Sequence, residues 1–371
     1  MAKTKLLMTI HCLRKGGAER VITTLSNSLY QRNFDVTFVC LNYTEQCYPL
    51  ADGIKLVYLV KERKRFPLAR LYYLAATFFR MFRVIAKEKP DCTIAFMTSA
   101  SIWAGLSCMW LKVPYIVSER TTPEITIAKL NIFSRWLSYF VFKYSKVIVS
   151  PSKGVEDCLK NILTFNKLKN YVVINNPVNQ IPEVETKQVH YRKYVLAVGR
   201  LMPEKGFDFL IESFAQLKQQ DVDLIILGEG PERVRLESLA ESLGLSHRVF
   251  LPGMKNNLWS YYKEAQAFVL SSRTEGYPNV LIEAMNLGCA CIAADCHWGP
   301  SEIINDGVNG LLIEKENKTQ LVHAIDRVLT QPEFRSLLST NAKMIGKSNS
   351  LEAISDQWEE VILSPISTNI K

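Results

Sequence analysis

The chain has 371 residues, of which 48% are hydrophobic and 22% charged, and its formal net charge is +9. This composition is typical of a globular protein and excludes a disordered chain, while the length favours two domains over a single core. No stretch of 18 or more uninterrupted apolar residues occurs, so a membrane-spanning helix is not expected. The nine cysteines include no C-x-x-C pair, which indicates a reducing compartment and argues against a disulfide framework.

The first half of the chain alternates short apolar runs with longer helical ones. Its start resembles a signal peptide, but His11, Arg14 and Lys15 interrupt the apolar run, so we expect a buried strand there. A Gly-Gly turn and a helix over residues 18–30 follow. The predicted strands of this half cover residues 6–12, 36–41, 56–59, 93–97, 115–118 and 147–151. Such alternation predicts a parallel sheet with helices on both faces.

Residues 175–190 are polar, contain two prolines and lack periodicity, so we predict a linker there. The alternation then restarts, with strands predicted at residues 194–198, 223–227, 249–251, 267–271 and 290–293 and helices at residues 207–219, 232–243, 258–264 and 280–287. The sequence therefore predicts an α/β fold of two doubly wound, Rossmann-like domains, residues 1–180 and 181–350. A ligand would bind in the cleft between two such domains.

The charge is distributed unevenly between the two halves. Residues 1–180 contain 26 lysines and arginines against 11 acidic residues, a balance of +15, whereas residues 181–371 have a balance of −6. An anionic partner should therefore bind the first half. On charge alone, nucleic acid and anionic lipid are both candidates.

Three cysteines and a histidine lie close together late in the chain, at Cys289, Cys291, Cys296 and His297. The first two stand in a run of small apolar residues that predicts a buried strand. Their spacing does not match the usual structural zinc patterns. We therefore expect no metal site.

Two loops carry residues suited to phosphate binding. Gly16 and Gly17 open the first helix, where backbone N–H groups can approach an anion, although such a turn is more often only structural. Arg200 and Lys205 follow Gly199 after the first strand of the second half. A guanidinium fork and a compact ammonium suit a diphosphate whose charge grows as a bond breaks. The simpler alternative is a solvated loop with two surface cations.

The stretch from Glu275 to Glu283 is the most informative one. It follows a predicted strand and leads into a helix, so the backbone N–H groups of Asn279 and Val280 lie where an anion would dock. Glu283, one turn inside the helix, can bind a ribose diol, and Glu275 can bind hydroxyls of a donated sugar. Glutamates near a helix start can also serve only the helix dipole.

Together these motifs resemble the retaining glycosyltransferases of family four, which have the GT-B fold. The resemblance rests on the Glu-x7-Glu spacing of Glu275 and Glu283, on Gly-Arg-x4-Lys-Gly from Gly199, and on Gly-Gly-Ala-Glu-Arg from Gly16. Further matches cover residues 227–231, 250–253 and 299–304. The motifs extend over nearly the whole chain in the expected order.

The resemblance implies a role for individual residues. Arg200 and Lys205 would hold the donor diphosphate and stabilise the leaving nucleotide, Glu275 would bind the transferred sugar and Glu283 the ribose. Other implied donor contacts are Gly16, Gly17, Gly199, Gly253 and Met254, the last two near the base, and the helix start at Asn279 and Val280. No metal or other cofactor is implied, and no protein nucleophile. Residues 351–371 would form a helix that packs back on the first domain.

The chain departs from the family at Arg120, where many relatives have a histidine after a Ser-Glu pair. Here the run is Ser118-Glu119-Arg120. Either Arg120 takes over the contact of that histidine with the sugar, or the correspondence shifts locally. The identity of the donated sugar stays open.

Residues 61–89 contain nine basic and two acidic residues, and a mostly apolar helix is predicted over residues 68–89. Either this helix lies on an anionic membrane or it is packed inside the first domain, and the charge of that half favours the membrane. Additional aromatic candidates for a membrane interface are Trp103, Trp110, Phe133, Trp136, Tyr139 and Phe140. The predicted acceptor or membrane contacts are Arg14, Lys15, Arg20, Arg63, Lys64, Arg65, Arg80, Arg83, Glu119 and Arg120.

We therefore expect a retaining glycosyltransferase that moves a hexose or N-acetylhexosamine from a nucleotide-sugar to a polyprenyl-diphosphate-linked glycan. The resemblance favours UDP as the nucleotide and a peripheral location on the cytoplasmic face of a membrane, in surface polysaccharide or lipid-linked oligosaccharide synthesis. A nucleotide-sugar epimerase of similar fold and a non-catalytic nucleotide-sugar sensor are the alternatives. Nucleic-acid binding is not expected, because no helix-turn-helix or RNA-binding signature is present.

Overall fold

A computed structural model of the chain describes residues 3–62, 67, 69–162, 164–178, 188–255, 257–296 and 298–365. The chain divides into two compact units, one formed by Met1–Pro177 with Leu351–Lys371 and the other by Val178–Ser350. The chain leaves the first unit at Pro177, three residues before the predicted domain boundary at residue 180. Most of the predicted linker, residues 179–187, lies outside the described residues.

The first unit contains a seven-stranded, wholly parallel sheet with the strand order β3-β2-β1-β4-β5-β6-β7. Its strands are β1 Lys5–Ile10, β2 Asp35–Asn42, β3 Lys55–Val60, β4 Cys92–Phe96, β5 Tyr115–Ser118, β6 Val147–Ser150 and β7 Tyr171–Val173. Its helices before the crossing are α1 Gly17–Gln31, α2 Ala69–Glu88, α3 Thr98–Leu111, α4 Ile132–Lys143 and α5 Lys153–Asn161. The strand order reverses between β1 and β4, which is where open sheets of this kind bind ligands.

The second unit contains a six-stranded parallel sheet with the order β10-β9-β8-β11-β12-β13. Its strands are β8 Lys193–Val198, β9 Val222–Leu227, β10 Val249–Phe250, β11 Ala267–Leu270, β12 Cys291–Asp295 and β13 Leu311–Glu314. Its helices are α6 Phe207–Phe214, α7 Arg233–Ser242, α8 Leu258–Glu264, α9 Asn279–Asn286, α10 Pro300–Ile303, α11 Lys318–Thr330, α12 Pro332–Ala342 and α13 Ile345–Ser348. Here the order reverses between β8 and β11.

The apolar strands are explained by burial on both faces of each sheet. In β1, Leu6 and Met8 pack into the core on one face, and Leu7 packs into the core on the other. In β9, Leu224 and Ile225 likewise enter different cores. Because both faces are covered, nearly every strand residue is apolar rather than every second one. The predicted pair of doubly wound parallel sheets is thus confirmed.

The predicted elements differ from the structure in several details. The helix over residues 207–219 ends at Phe214, where single turns that bring Leu217 into the core replace the helix. Sequence reasoning does not identify β7 or β13, each of which lies at one edge of its sheet. The opposite edge strands, β3 and β10, are predicted at residues 56–59 and 249–251, so position at an edge does not by itself hide a strand.

The last helix, α14 Leu351–Leu363, belongs to the first unit. Ser355 Oγ lies 2.7 Å from Ser28 Oγ of α1, and both hydroxyls are buried. Trp358 is fully buried and stacks on Phe96 at the end of β4, with ring centroids 5.8 Å apart. The guanidinium carbon of Arg120 lies 5.4 Å from the Trp358 ring centroid. The aromatic and cationic contacts therefore fix this helix to the core of the first unit.

Candidate functional site

The loops that follow β8 and β11 meet at the carboxyl edge of the second sheet. Lys205 Nζ lies 2.6 Å from Glu275 Oε1, and the two side chains are only 18% and 10% exposed. Ser272 Oγ donates a hydrogen bond to the same carboxylate oxygen at 2.7 Å. Two residues predicted to be catalytic are therefore brought together as a shielded ion pair. The pair lies where the strand order reverses, the usual ligand position in such a sheet.

Glycines allow these loops to approach one another closely. Gly206 has a φ of +62°, and a Cβ there would collide with the backbone oxygen of Ser271. Glycine is the residue that combines this left-handed conformation with so close an approach. Ser271 Oγ donates in turn to the carbonyl oxygen of Lys205 at 3.0 Å. The loop that carries Lys205 is thereby fixed to the end of β11.

Arg273, which sequence reasoning misses, fixes the same loop from another side. Its Nη1 donates to the carbonyl oxygen of Pro203 at 2.6 Å and to Asp208 Oδ1 at 2.9 Å. Burial tends to raise the pKa of Asp208, but hydrogen bonds from Arg273 and Arg235 hold that pKa at about 2. Asp208 therefore stays ionised and keeps the loop in place. No motif marks such an arginine, so the tertiary contacts are the signal that identifies it.

The other predicted donor residues lie near this edge in different environments. The Arg200 side chain is 63% exposed, with Nη2 3.9 Å from Glu204 Oε1. Glu283 is almost fully buried on α9. Because α9 begins at Asn279, the backbone N–H groups of Asn279 and Val280 belong to its first turn. Their contact with a phosphate, and that of Glu283 with a ribose, stay predictions.

Gly253 and Met254 follow the short strand β10 at the same edge. The Gly253 carbonyl accepts a hydrogen bond from the Gly228 N–H at 3.1 Å, which joins the loops after β9 and β10. A Cβ on Gly253 would lie 2.8 Å from Glu229 Oε1. Met254 is half exposed. Glu229 is itself held by Arg233 through two hydrogen bonds, at 2.7 and 3.0 Å.

The first unit has a glycine turn at the carboxyl end of β1. Gly16 precedes the first residue of α1, Gly17, and a Cβ on Gly16 would collide with the Glu19 carboxylate. Arg14 Nε lies 3.5 Å from Glu19 Oε1, and the Arg14 side chain is 68% exposed. Lys15 is also exposed and Arg20 is half-buried. Both predicted glycines thus share this edge with three predicted cations.

Glu119 and Arg120 lie in the interior of the first unit. Glu119 accepts a hydrogen bond from Thr98 Oγ1 at 2.5 Å, and burial raises the pKa of its carboxyl to about 7. Burial also lowers the pKa of Arg120 to about 9. The Arg120 guanidinium donates to Ser118, Ile174 and Asn176 of its own unit. A membrane contact by either side chain does not fit this burial, and their predicted contact with an acceptor stays untested.

α2 packs by one face and exposes apolar side chains on the other, so it combines features of both predicted alternatives. Met81 and Ile85 are fully buried, whereas Leu71, Tyr72 and Phe79 are 62%, 51% and 60% exposed. The predicted contacts Arg80 and Arg83 are exposed on the second half of the helix, where Arg80 Nη1 also donates to the carbonyl oxygen of Leu59 at 2.5 Å. The cluster Arg63, Lys64 and Arg65 lies outside the described residues.

The aromatic residues predicted for an interface fall into two groups. Trp110, Phe133 and Trp136 are 78%, 70% and 54% exposed. The half-buried group comprises Trp103, Tyr139 and Phe140. Across the part of the chain that the structure describes, no helix is both long enough and apolar enough to cross a bilayer.

The late cysteine cluster is buried at Cys289, Cys291 and Cys296. His297, the fourth member considered, lies outside the described residues. Among the described side chains, no three of histidine, cysteine, aspartate or glutamate come together as a group that could hold a metal ion. Burial raises the pKa of the Cys289 and Cys296 thiols to about 12. These thiols are therefore poor sources of the thiolate that zinc prefers.

Known proteins resemble both units of the chain. Residues 15–180 match the family described as Glycosyltransferase Family 4, and residues 181–344 match Glycosyl transferases group 1. The N-acetylgalactosamine-N,N'-diacetylbacillosaminyl-diphospho-undecaprenol 4-alpha-N-acetylgalactosaminyltransferase of Campylobacter jejuni is 28% identical over 353 residues, which cover 93% of this chain and 95% of that protein. An uncharacterised glycosyltransferase of Methanocaldococcus jannaschii is 31% identical over 255 residues, 68% of this chain and 67% of the other.

Among solved structures, Anabaena HepE in complex with UDP has a TM-score of 0.79 at 17% identity, with 97% of this chain and 99% of HepE covered. At that identity the likeness shows the shared fold. The family matches account for both units, and their order agrees with that of the motifs from Gly16 to Glu283. The chain therefore belongs to the glycosyltransferases that join a Family 4 domain to a group 1 domain in the GT-B fold.

Proposed function

We propose that this glycosyltransferase is a retaining enzyme that uses a UDP-sugar. It transfers a hexose or N-acetylhexosamine to a polyprenyl-diphosphate-linked glycan. The reaction takes place at the cytoplasmic face of a membrane, to which the first unit binds peripherally. The charge of the leaving diphosphate is balanced by the chain's own cations and a helix N-terminus, without a metal.

The ion pair between Lys205 and Glu275 carries the donor part of the proposal. It is shielded and held beside the loop that opens α9, so an ammonium and a helix N-terminus can face one diphosphate. As the bond between sugar and phosphate breaks, Lys205 and the exposed guanidinium of Arg200 stabilise the growing charge. Glu275 orients Lys205, and its carboxylate has further lone pairs to accept hydrogen bonds from sugar hydroxyls.

The relatives support the choice of acceptor and nucleotide. The Campylobacter jejuni relative is named for action on a sugar linked to diphospho-undecaprenol, and HepE binds UDP. A polyprenyl diphosphate is anionic and resides in a membrane, which agrees with the balance of +15 in residues 1–180. Retention is supported by the Glu-x7-Glu spacing of Glu275 and Glu283.

The surface of α2 supports the membrane part of the proposal. Leu71, Tyr72 and Phe79 expose apolar area that a water-soluble face would not need, and the second half of the helix is basic. Burial of such a side chain contributes about 1.5–3 kcal/mol, and each cation near an anionic leaflet contributes about 1 kcal/mol. A few side chains of each kind are therefore enough for reversible binding.

The experiment is transfer from a panel of UDP- and GDP-sugars to polyprenyl-diphosphate glycans by the full chain and by two variants, Lys205→Ala and Glu283→Ala. Lys193→Ala is the matched control, because Lys193 is exposed at the opposite end of β8. We expect one UDP-sugar to give product, both variants to lose it and the control to keep it. The anomeric configuration of the product, read by NMR, should equal that of the donor.

Each other outcome contradicts a definite part of the proposal. An inverted linkage would exclude retention, and equal loss in Lys193→Ala would exclude the assigned site. An epimerised sugar released without acceptor would indicate an epimerase. Nucleotide binding without any turnover would indicate a sensor.

A further inference from the structure

A pocket of about 360 Å³ lies on the first unit, between the start of α3 and the segment that leads into α4. Most of its lining is apolar, and the side chains involved include Met97, Ile102, Trp103, Thr126, Leu130 and Ser134. The volume lies within the range of about 300–1,000 Å³ that is usual for small-molecule sites. None of these residues belongs to the proposed donor site, so donor binding does not account for the pocket.

The wall of the pocket next to α4 is fixed by hydrogen bonds. Arg135 Nη2 donates to the carbonyl oxygen of Ala128 at 2.5 Å and to that of Leu130 at 3.2 Å. The Asn131 side chain caps α4 by accepting from the Ser134 N–H at 2.8 Å. The segment before the helix is therefore tied to the helix itself. A pocket with such a wall is largely pre-formed and does not require ordering upon binding.

One end of the pocket is polar and lies at the carboxyl edge of the first sheet. Thr98 and Ser99 line it, and Ser99 Oγ lies 3.5 Å from Nδ1 of His11, the residue after β1. An anionic group at this end would therefore meet two hydroxyls and a histidine, and the exposed cations Arg14 and Lys15 lie a few residues further along the same loop.

The opposite side of the pocket adjoins exposed apolar surface. Ile132 and Phe133, in the first turn of α4 between the lining residues Leu130 and Ser134, are 86% and 70% exposed. The Phe133 ring stacks on that of Trp136, with centroids 6.4 Å apart. Large apolar side chains grouped in this way usually mark a contact with lipid or with a partner.

We propose that this pocket binds the first isoprene units of the polyprenyl diphosphate acceptor. The chain of the lipid passes from the membrane over Ile132 and Phe133 into the pocket, and its diphosphate lies at the polar end beside His11, Arg14 and Lys15. An apolar cavity whose polar end adjoins a basic loop is complementary to an anionic head on a hydrocarbon tail. The inference rests on the proposed acceptor and adds that the enzyme recognises the lipid itself, in addition to the glycan.

Farnesyl diphosphate is a soluble probe of this pocket, and its binding to the full chain can be measured by calorimetry. We expect it to bind at least about tenfold more tightly than inorganic diphosphate, because the tail buries apolar surface. Thr126→Phe and Ser134→Phe should fill the pocket and abolish this gain. Ile125→Phe is the matched control, since Ile125 is 42% exposed next to Thr126 and does not line the pocket. Equal binding of the two diphosphates, or loss of the gain in Ile125→Phe alone, would overturn the inference.

A transfer assay separates this inference from the proposed function. Thr126→Phe should raise KM for the polyprenyl-linked glycan about tenfold while leaving kcat/KM unchanged for the same glycan diphosphate on a methyl group. If Thr126→Phe and Ser134→Phe transfer sugar to the polyprenyl acceptor as wild type does, the inferred role of the pocket is wrong and the proposed function stands. Pocket-dependent binding of farnesyl diphosphate without transfer to any polyprenyl acceptor would overturn the function and keep a prenyl site. Melting temperatures of both variants close to wild type exclude unfolding as the cause.

Discussion

The carboxyl edges of the two sheets have the same topology and opposite character. In the second unit, Lys205 and Glu275 form a shielded ion pair and Arg273 binds Asp208, whereas Arg200 stays exposed. In the first unit, Arg14 and Lys15 are exposed, and large apolar side chains lie on the surfaces of α2 and α4. The overall balances, −6 and +15, follow the same division.

The difference agrees with the separate functions proposed for the two edges. Stabilising a charge that develops during a reaction requires groups that are already oriented and protected from water. Attachment to an anionic lipid surface requires cations and apolar side chains that remain accessible. One architecture therefore serves two purposes through the residues placed in its loops and on its outer helices.

The largest effect is expected at the shielded pair. Lys205→Ala should lower kcat by about 10²–10³, because a preorganised group that stabilises the leaving diphosphate is lost. Glu275→Gln should also lower kcat, and the double variant should lose far less than the product of the two single losses, since the residues act as one unit. The measurement is kcat at saturating donor for all four proteins. Losses that multiply would mean that the residues act independently.

The packing of the second edge can be disrupted at Gly206. Gly206→Ala should reduce the free energy of unfolding by about 1–3 kcal/mol, from a strained left-handed conformation and a collision with the Ser271 backbone oxygen. Gly244→Ala is a matched control, because Gly244 has a similar φ of +70° and nothing within 4 Å of its Cβ position. Comparing the urea unfolding of the two variants separates the cost of the collision with Ser271 from the cost of the left-handed conformation. Equal shifts would show that the contact of the two loops adds nothing.

The proposed binding of the first unit to an anionic membrane can be tested on vesicles that contain phosphatidylglycerol. Leu71→Ser and Phe79→Ser should each weaken binding about tenfold, because each removes an exposed apolar side chain worth roughly 1.5 kcal/mol or more on insertion. Leu337→Ser is the control, a leucine of the second unit that is 51% exposed. Co-sedimentation provides the measurement. Equal weakening in the control, or equal binding to neutral vesicles, would contradict the assignment of the surface.

The smallest effect concerns the buried carboxyl of Glu119. Its pKa in the folded protein, about 7, lies above the ordinary value of 4.5. The folded state therefore binds more protons than the unfolded state between these values, and stability falls as pH rises through that window. Glu119→Gln, which keeps an acceptor for Thr98, should lose this dependence and gain melting temperature relative to wild type between pH 5 and pH 8. Parallel profiles for the two proteins would contradict the raised pKa.

Sequence reasoning succeeds for the central strands and for the motif loops. A strand covered on both faces is a nearly continuous apolar run, and a run of this kind followed by a helical period can be read locally. It fails for β7 and β13, because apolar runs of three and four residues are too short to be assigned to a strand by periodicity alone. It also fails for Arg273, because an arginine in a polar loop looks the same whether it is solvated or bonded to Pro203 and Asp208.

The environment of Arg120 could not be predicted from the sequence either. Its place after Ser118 and Glu119 predicts a contact with the donated sugar, the acceptor or the membrane, and the structure buries it between its own hydrogen-bond partners and the ring of Trp358. Trp358 lies more than two hundred residues further along the chain, on a helix that returns to the first unit. No local pattern contains that contact.

The sequence alone determined the two parallel sheets, the order of the motifs and the residue types that follow each strand. Periodicity and glycine spacing are local properties, and they act over one strand or one turn. Only the tertiary structure decided that the loops after β8 and β11 would meet, joining Lys205 to Glu275 across 70 positions. Such a contact depends on the strand order of the complete sheet, which is set by the packing of all its helices and strands together.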